Sequence, residues 1–374
     1  MKIGMDATLF KSSERRGIAV TVYEVIKIWI RIYPQHEYYL FASSPISLDI
    51  IFPDNWHIID EGNPKNSTTF WLYTVMPDLL KKYSIDVFWG TGTMLPPNVP
   101  KVIYYVSLDD MATLLFPENV PKRQLLKTIL FYRRACKRAH KVITVSKSAK
   151  ADICRLFHIP NEKIVVSYHG GFEGKNEIEF DEKNVRPELR IKDYFLFISA
   201  FEPRKNILTI VKAFEKYKKA YGGKKKLVLA GKHEYKAQVV LEYIKQSSQK
   251  EYIIIPGYIN TDEKRYLYKN ASCFLFPSLY EGFGIPIIES FEYGVPVIAS
   301  EISSMPEIGG EVAYYIKNPT DADELALQMH TVEDMNRLEL MKLRERMKER
   351  LKMFSWEDKA KGLMEMFEFD RHML

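Results

Sequence analysis

Residues 276–289, FPSLYEGFGIPIIE, contain the end of an apolar strand, a loop with two glycines and the beginning of a helix. Because Gly282 and Gly284 flank Phe283, the backbone can turn tightly there and approach a ligand closely. Pro286 suits the first turn of a helix, where free backbone N–H groups can bind a phosphate or a sugar hydroxyl. The stretch therefore predicts a strand–loop–helix unit with a ligand site at the carboxyl end of the strand.

Short β-rich runs alternate with helical patterns on both sides of this unit. A first set of strands is predicted at residues 2–6, 38–42, 86–89, 102–106 and 141–145, with helices at about 18–33 and 122–140. A second set is predicted at residues 194–199, 226–230, 252–255, 271–276 and 296–300, with a helix at 207–221. Such alternation indicates parallel sheets covered by helices. We expect an α/β protein with two doubly wound, Rossmann-like domains that face each other across a central cleft.

The length of the chain, 374 residues, also predicts two domains. Residues from about 172 to 193 are polar and poor in aliphatic side chains, which is typical of an interdomain linker. We therefore place the N-terminal domain at residues 1–175 and the C-terminal domain at residues 190–352, with a last helix at residues 353–374.

The composition, with 46% hydrophobic and 27% charged residues, is ordinary for a soluble globular protein. Cys136, Cys154 and Cys273 have no metal-ligand spacing and lie in apolar runs, which indicates buried thiols and a reducing cytoplasm. No signal peptide is visible, and no apolar run approaches the roughly 20 residues that span a bilayer. We expect a cytoplasmic protein, either soluble or peripheral on the inner face of the cell membrane.

Positive charge is concentrated between Pro121 and Lys150, a stretch with ten lysine or arginine residues and no aspartate or glutamate. One interpretation is a solvated helix face. The other is that the segment from Lys122 to Lys150 docks on an anionic membrane surface. Nucleic acid is not an expected partner, because no recognition motif accompanies the charge.

Two glutamates lie near the predicted helix start. Glu281 precedes the helix in the loop, and Glu289 follows eight residues later inside the helix. Carboxylates accept hydrogen bonds, so the two side chains can contact hydroxyl groups on different parts of one extended ligand. An exposed loop glutamate and a glutamate that stabilises the helix macrodipole would give the same spacing.

The stretch from Phe276 to Pro296 resembles the donor-binding signature of glycosyltransferase family 4, whose members are retaining enzymes with the GT-B fold. Two glutamates separated by seven residues are the hallmark of that signature, and Glu281 and Glu289 match it. The resemblance covers most of residues 194–318 and extends more loosely over residues 2–170. Further matches are Glu202-Pro203-Arg204-Lys205-Asn206, Gly257-Tyr258-Ile259, Leu267-Tyr268, Gly294-Val295-Pro296-Val297, Met305-Pro306-Glu307, Gly17, Asp110 and Pro117-Glu118.

The resemblance implies a site for a nucleoside diphosphate sugar. Glu289 would bind the ribose hydroxyls, Glu281 would contact the donor sugar, and the N–H groups around Phe283 and Gly284 would hold sugar or phosphate oxygens. The last helix would cross back onto the first domain, with Trp356 as a packing anchor. The expected donor-binding residues are Gly17, Arg204, Lys205, Gly257, Tyr258, Glu281, Gly282, Phe283, Gly284, Ile285 and Glu289.

Arg204 and Lys205 follow the first predicted strand of the C-terminal domain. They are either ordinary surface charges before a helix or cations that neutralise the departing diphosphate, whose charge grows in the transition state. The resemblance supports the second role and implies catalysis without a metal or another cofactor. Some relatives carry an earlier arginine near the position of Ser199, so Arg204 would take over its role. The Asp-x-Asp triplet Asp321-Ala322-Asp323 lies in the C-terminal tail.

Two residues of the N-terminal domain complete the expected site. Gly17, which follows Glu14-Arg15-Arg16, is either a simple turn glycine or a point where the backbone approaches the donor phosphates. Asp109 stands where the resemblance places a histidine that contacts the donor sugar. An aspartate there can accept a hydrogen bond from a sugar hydroxyl or act as a base toward the acceptor. Loss of activity and a shifted alignment are the opposite interpretations. His169 is expected in a structural turn.

Together these features predict a retaining hexosyltransferase of the EC 2.4.1 type, with Asp109, Arg204, Lys205 and Glu281 as catalytic residues. The chain also resembles mannosyltransferases overall, which implies GDP-mannose as the donor, and UDP-sugars or other sugar nucleotides remain open. The expected acceptor is a saccharide or lipid-linked saccharide of polysaccharide or O-antigen assembly. The resemblance implies that the acceptor attacks on the face from which the diphosphate leaves, with no identified enzymic nucleophile. The alternatives are a phosphorylase or epimerase with the same fold and a catalytically silent subunit that binds a nucleotide sugar.

Overall fold

The computed structural model describes residues 1–12, 17–60, 67–171, 180–234 and 236–373 of the chain. The chain divides into two compact units, of which the first contains Met1–Gly170 with Ser355–Leu374 and the second contains Gly171–Phe354. Within the described residues, no helix is both long enough and apolar enough to cross a membrane.

A sheet of seven parallel strands with helices around it forms the first unit. The strands are β1 (Lys2–Asp6), β2 (Glu37–Phe41), β3 (Trp56–Ile59), β4 (Val87–Gly90), β5 (Ile103–Ser107), β6 (Lys141–Thr144) and β7 (Ile164–Val166), in the spatial order β3-β2-β1-β4-β5-β6-β7. The helices up to this point are α1 (Ile18–Ile32), α2 (Thr68–Thr74), α3 (Met76–Lys82), α4 (Ala112–Leu115), α5 (Lys122–Arg138) and α6 (Lys147–Phe157). Every residue of β4 and β5 is buried, as expected for central strands that are covered on both faces.

A six-stranded parallel sheet forms the second unit. Its strands are β8 (Tyr194–Ile198), β9 (Lys226–Ala230), β10 (Ile253–Gly257), β11 (Cys273–Phe276), β12 (Val297–Ser300) and β13 (Tyr314–Ile316), in the spatial order β10-β9-β8-β11-β12-β13. Its helices are α7 (Ile207–Tyr221), α8 (Ala237–Gln246), α9 (Thr261–Asn270), α10 (Ile285–Glu292), α11 (Met305–Gly309), α12 (Ala322–Glu333) and α13 (Arg337–Leu351).

The last helix, α14 (Trp356–His372), belongs to the first unit. The Nε1 atom of Trp29 in α1 donates a hydrogen bond to the backbone oxygen of Ala360 at 2.8 Å. The Trp29 ring lies 5.9 Å from the ring of Phe367. Trp356 packs against Gly170, where an added Cβ would lie 2.4 Å from the indole ring. Trp356 therefore packs within the unit that contains α1.

The predicted α/β class and the parallel sheets are confirmed, with two kinds of difference. Strands β3 and β13 were not predicted; each lies at an edge of its sheet and contains residues that are partly or fully exposed. Residues 172–179 of the predicted linker lie outside the described residues. The prediction of a linker is wrong for residues 180–193, because Val185 and Leu189 are buried in the second unit.

Both sheets reverse their strand order at one position, between β1 and β4 in the first unit and between β8 and β11 in the second. At such a switch point the connections leave to opposite sides of the sheet, and a crevice opens at the carboxyl ends of the two strands. In the second unit the two loops at this crevice carry Arg204 with Lys205 and Glu281.

Candidate active site

The loops that follow β8 and β11 are tied together at the switch point of the second unit. Asn206, in the left-handed conformation with φ of 57°, donates a hydrogen bond from Nδ2 to the backbone oxygen of Pro277 at 3.0 Å. The N–H of Leu279 donates to the backbone oxygen of Arg204 at 2.8 Å. These bonds hold the predicted cations Arg204 and Lys205 beside the glutamate-bearing loop after β11.

A cluster of four charged side chains occupies this crevice. Lys205 Nζ lies 2.6 Å from Glu281 Oε1, and Arg204 Nη1 lies 3.1 Å from Glu281 Oε2. Arg204 Nη2 also contacts Glu202 Oε1 at 2.7 Å. Burial alone would raise the pKa of Glu281, but the charges of Lys205 and Arg204 outweigh it and hold that pKa below its usual value. Glu281 is therefore a charged carboxylate between two cations, and the alternative of an exposed loop glutamate is wrong.

Two serines fix the backbone of the loop that carries Glu281. The hydroxyl of Ser304 lies 2.8 Å from the backbone oxygen of Glu281 and 2.7 Å from that of Phe283. Ser303 Oγ accepts a hydrogen bond from the N–H of Glu281 at 3.2 Å. Gly284 then adopts φ of 109°, which only glycine tolerates without strain, and α10 begins at Ile285. Ser303 and Ser304 lie 22 and 23 residues after Glu281, so no local motif predicted these contacts.

Glu289 is held inside the second unit by two partners from α9. The hydroxyl of Tyr268 donates to Glu289 Oε2 at 2.9 Å, and Lys264 Nζ lies 2.5 Å from Glu289 Oε1. Glu289 is only 6% exposed, and these two contacts hold its carboxylate in place. The sequence placed Tyr268 in a family motif but predicted no role for it, and it did not predict the contact of Lys264 with Glu289.

The predicted donor residues Gly257 and Tyr258 lie at the end of β10. Gly257 has φ of 71°, and Tyr258 is 59% exposed. Arg186 fixes this turn, because its guanidinium donates to the backbone oxygens of Pro256 and Tyr258, each at 3.0 Å, and pairs with Glu263 at 2.5 Å. Arg186 lies in the segment that was taken for a linker, so the sequence offered no indication of this contact.

Gly17 precedes α1 in the first unit, while Glu14, Arg15 and Arg16 lie outside the described residues. Gly17 has φ of 53°, and an added Cβ would meet nothing within 4 Å. The requirement for glycine therefore comes from the backbone conformation and not from a lack of space. Asp6, which was not among the predicted site residues, ends β1 at the switch point. It is 2% exposed and accepts a hydrogen bond from the Thr8 hydroxyl at 2.6 Å.

Asp109 follows β5 and lies next to His169 in the first unit. His169 Nε2 is 3.8 Å from Asp109 Oδ2, and the Asp109 side chain is 26% exposed. Burial raises the pKa of Asp109 to about 6, although the charge of Lys359 in α14 acts in the opposite direction. His169 was expected only in a turn, and Lys359 was missed. No spacing in the sequence relates three residues so far apart.

The basic segment after Pro121 forms α5, which carries seven lysine or arginine residues and no acidic residue. Only Ala135 and Cys136 of this helix are buried. Three apolar side chains are exposed among the cations, namely Leu126 at 60%, Ile129 at 38% and Leu130 at 46%.

Known proteins resemble the chain over most of its length. A family model described as Glycosyltransferase Family 4 matches residues 11–170, and one described as Glycosyl transferases group 1 matches residues 179–353. O-antigen chain mannosyltransferase B of Escherichia coli is 27% identical over 283 residues, which are 75% of this chain and 73% of that protein. O-antigen chain mannosyltransferase RfbU of Salmonella typhimurium is 26% identical over 230 residues, which are 62% of this chain and 61% of that protein.

A solved structure shows the same fold. Sucrose-phosphate synthase from Thermosynechococcus elongatus matches 100% of both chains with a TM-score of 0.75, at 16% sequence identity. The two parallel sheets, each with its own switch point, are thus part of a fold shared along the entire chain.

Proposed function

Because the chain belongs to the group 1 and family 4 glycosyltransferases and has the GT-B fold, we propose that it is a hexosyltransferase. The hexose moves from a nucleoside diphosphate sugar to a hydroxyl group, with retention of configuration at the anomeric carbon. The observation that carries this proposal is the position of Glu281 between Lys205 and Arg204, in the crevice at the β8/β11 switch point. Ligands of doubly wound sheets bind at such crevices.

Arg204 and Lys205 serve the departing diphosphate. Their charges balance those of Glu202 and Glu281, so a bound diphosphate would share the two cations with these carboxylates. A guanidinium has five donors and an ammonium has three, so each cation can contact a carboxylate and a phosphate oxygen at once. As the bond from C1 to the diphosphate breaks, negative charge grows on the leaving group and the two fixed cations stabilise it.

Two fixed cations can also neutralise the leaving group without a divalent ion. Transfer should then persist in excess EDTA, once the protein has been dialysed against the chelator. A loss of transfer that added magnesium or manganese restores would contradict this part of the proposal.

Glu281 and Glu289 bind different parts of the donor. Glu281, kept charged by its two cations, accepts hydrogen bonds from hydroxyl groups of the hexose. Glu289 accepts them from the ribose, in exchange for the contact with Lys264. Gly257 and Tyr258 line the nucleotide, and the backbone around Phe283 and Gly284 holds phosphate or sugar oxygens. The N-terminal Gly17 lets the backbone approach the phosphates.

GDP-mannose is the proposed donor, because two relatives are named as O-antigen chain mannosyltransferases. A saccharide or lipid-linked saccharide of polysaccharide assembly is the matching acceptor. Melting temperatures with GDP, UDP, ADP and dTDP test the base, since a ligand that binds the native state raises the melting temperature by mass action. The largest rise is expected with GDP, and a larger rise with UDP or dTDP would overturn the choice of donor.

Asp109 acts on the acceptor. In the transfer step the acceptor oxygen forms a bond to C1, the bond from C1 to the diphosphate oxygen breaks, and the diphosphate departs with that electron pair. The acceptor hydroxyl loses its proton, which Asp109 accepts as a carboxylate with a pKa of about 6.

A second candidate function is a catalytically silent protein that binds nucleotide sugars. Asp109 favours it, because the resemblance places a histidine at this position. Turnover of each donor with a pool of saccharide acceptors distinguishes the two candidates. A protein that binds a donor and never releases its nucleoside diphosphate would be the silent one.

The exposed part of α5 binds an anionic membrane surface in this proposal. Cations on the helix would attract acidic headgroups, while Leu126 and Leu130 would enter the interface. Sedimentation with phosphatidylglycerol vesicles tests this, and binding should weaken as salt rises. The variant Leu126→Glu/Leu130→Glu should lose binding. Equal binding to phosphatidylcholine vesicles, or none to either, would contradict the proposal.

A further inference from the structure

Asp6, the last residue of β1, has two carboxylate oxygens with different surroundings. The N–H and the hydroxyl of Thr8 donate hydrogen bonds to Oδ1 at 3.0 and 2.6 Å. Among the described residues, no hydrogen bond reaches Oδ2, although Asp6 is only 2% exposed. Because buried polar atoms of native proteins normally have a hydrogen-bond partner, Oδ2 can accept a bond from a donor outside the chain.

Gly92, in the loop after β4, leaves space in front of this oxygen. A Cβ atom added to Gly92 would lie 2.9 Å from Asp6 Oδ2 and 3.8 Å from Asp6 Cγ. Apart from the two residues that flank Gly92, no other described atom would lie within 4 Å of it. The hydroxyl of Thr91 donates to the backbone oxygen of Asp6 and ties this loop to the end of β1. Asp6 Oδ2 therefore lines an open space above Gly92.

The chemistry of Asp6 favours a hydroxyl group as the missing donor. A carboxylate accepts hydrogen bonds and repels anions, so Oδ2 suits a saccharide hydroxyl and not a diphosphate. Burial raises the pKa of Asp6, although the bonds from Thr8 and the charge of Lys11 act in the opposite direction. Lys11 Nζ itself donates to the hydroxyls of Ser43 and Thr68 at 3.0 and 3.1 Å. A hydrogen bond from a ligand to Oδ2 would favour the charged carboxylate.

Asp6 lies at the same edge of the first sheet as the candidate acceptor residue. β1, β4 and β5 are neighbours in that order, and Asp6, Gly92 and Asp109 stand at or just after their carboxyl ends. Neighbouring strands are about 4.8 Å apart, so the ends of β1 and β5 are about 10 Å from each other. An oligosaccharide with one hydroxyl at Asp109 can therefore extend along the edge and place another hydroxyl at Asp6.

We propose that Asp6 Oδ2 and the space above Gly92 form a subsite for a hydroxyl group of the saccharide acceptor, other than the hydroxyl that reacts. This inference rests on the proposed function, which supplies the saccharide acceptor. Asp6 is a binding residue and takes no part in bond making or breaking. An acceptor without this hydroxyl would leave a buried carboxylate oxygen without a donor, so the subsite selects among acceptors.

Two variants disturb the subsite by different means. In Asp6→Asn, the two bonds from Thr8 require an oxygen at the position of Oδ1, so the amide nitrogen takes the position of Oδ2. Gly92→Ala places a methyl group against Oδ2, and Gly92 has no positive φ that would strain an alanine. Gly362→Ala is the matched control, because Gly362 is exposed on α14 and an added Cβ there meets nothing within 4 Å.

The first readout is the kinetics of transfer. Loss of a charge-assisted hydrogen bond should raise KM for the saccharide acceptor by about 30-fold in Asp6→Asn and in Gly92→Ala. The values of kcat at saturating acceptor and of KM for the nucleotide sugar should stay close to those of wild type, because only acceptor binding is weakened. Gly362→Ala should match wild type in all three values.

The second readout does not depend on transfer. Methyl glycosides of mannose, glucose and galactose are titrated into 15N-labelled protein, and the amide signals of Thr8 and Gly92 are followed by NMR. At least one glycoside should shift both signals in wild type and in Gly362→Ala. The Thr8 signal should not shift in Asp6→Asn or in Gly92→Ala.

The two readouts separate this inference from the proposed function. Glycoside-dependent shifts in a wild type that transfers nothing would support the subsite and remove the proposed function. Transfer with an unchanged acceptor KM in folded Asp6→Asn and Gly92→Ala would overturn the subsite and leave the proposed function in place. Neither transfer nor any shift in wild type would overturn both. If Asp6→Asn fails to fold, Gly92→Ala decides by the same two measurements.

Discussion

Glu281 in the second unit and Asp109 in the first are both carboxylates with low exposure, and their surroundings act on them in opposite directions. Lys205 and Arg204 touch Glu281 at 2.6 and 3.1 Å and keep its pKa low. Asp109 faces a neutral histidine at 3.8 Å, and burial raises its pKa to about 6. A carboxylate with contacting cations stays charged and can anchor a ligand, whereas one without them can exchange a proton near neutral pH.

Replacing Glu281 tests the first half of this comparison and should have the largest effect. Glu281→Gln leaves the buried Lys205 without this carboxylate and leaves Arg204 with Glu202, which costs about 3 kcal/mol of unfolding free energy. Transfer should also fall by about 10³-fold, because the sugar contact and the placement of both cations are lost. Urea denaturation and initial rates measure the two effects.

The matched control is Glu349→Gln, which breaks the exposed ion pair with Lys352. Exposed pairs contribute about 0–1 kcal/mol, so this variant should retain stability and transfer. Equal losses in the two variants would show that the Glu281 cluster has no special role.

Asp109→Asn tests the second half through the pH dependence of stability. Asp109 has a pKa of about 6 in the native state and an ordinary value of 3.8, so between these values the native state binds more protons than the unfolded state. The wild-type free energy of unfolding should therefore fall by about 2 kcal/mol through this group as the pH rises from 4 to 6. The variant lacks this loss.

Urea denaturation at pH 4, 5 and 6 measures the difference, because groups common to both proteins cancel. The stability of Asp109→Asn relative to wild type should increase across this range. A constant difference would mean that Asp109 has an ordinary pKa and cannot act as a proton acceptor near neutral pH. Glu281→Gln should show the opposite sign, because a lowered pKa stabilises the native state above it and that contribution is lost in acid.

The two sites also differ in how far the sequence predicted them. Glu281, Glu289, Arg204 and Lys205 lie in recognisable motifs at the ends of strands, so pattern and spacing were sufficient to find them. Their partners Tyr268 and Lys264 contact Glu289 from another helix, and only the fold brings them there.

The first unit was harder to predict for a physical reason. His169 reaches Asp109 from the loop after β7, sixty residues further along the chain, and the charge of Lys359 acts on Asp109 from α14. The α/β class followed from alternating strands and helices, whereas the short strands β3 and β13 at the edges of the sheets were not predicted.

Lys205→Met tests whether Lys205 binds the phosphates of the donor. Lys205 contributes a charge-assisted contact in a buried site, and such contacts are worth about 2 kcal/mol, or roughly 30-fold in affinity. Calorimetry should show that weakening for the nucleoside diphosphate and little change for the corresponding nucleoside. Lys212→Met, at an exposed position of α7, is the control. An equal loss of affinity for the nucleoside and for the nucleoside diphosphate would show that Lys205 does not contact the phosphates.

Tyr268→Phe should have the smallest effect. It removes one hydrogen bond to Glu289, which is worth about 1 kcal/mol, and leaves the contact with Lys264 in place. If Glu289 binds the ribose, KM for the donor should rise about fivefold while kcat stays nearly constant. A fall in kcat with an unchanged KM would show that Glu289 acts on the chemical step instead.

Release of nucleoside diphosphate by the purified protein is the most direct test of hexosyl transfer. Wild type, Glu281→Gln and Arg204→Ala would be incubated with GDP-mannose and other sugar nucleotides, with and without saccharide and lipid-linked acceptors. We predict acceptor-dependent release by wild type with at least one donor, and its loss in both variants. Donor binding without release by wild type, or equal release by all three proteins, would contradict the proposed transfer.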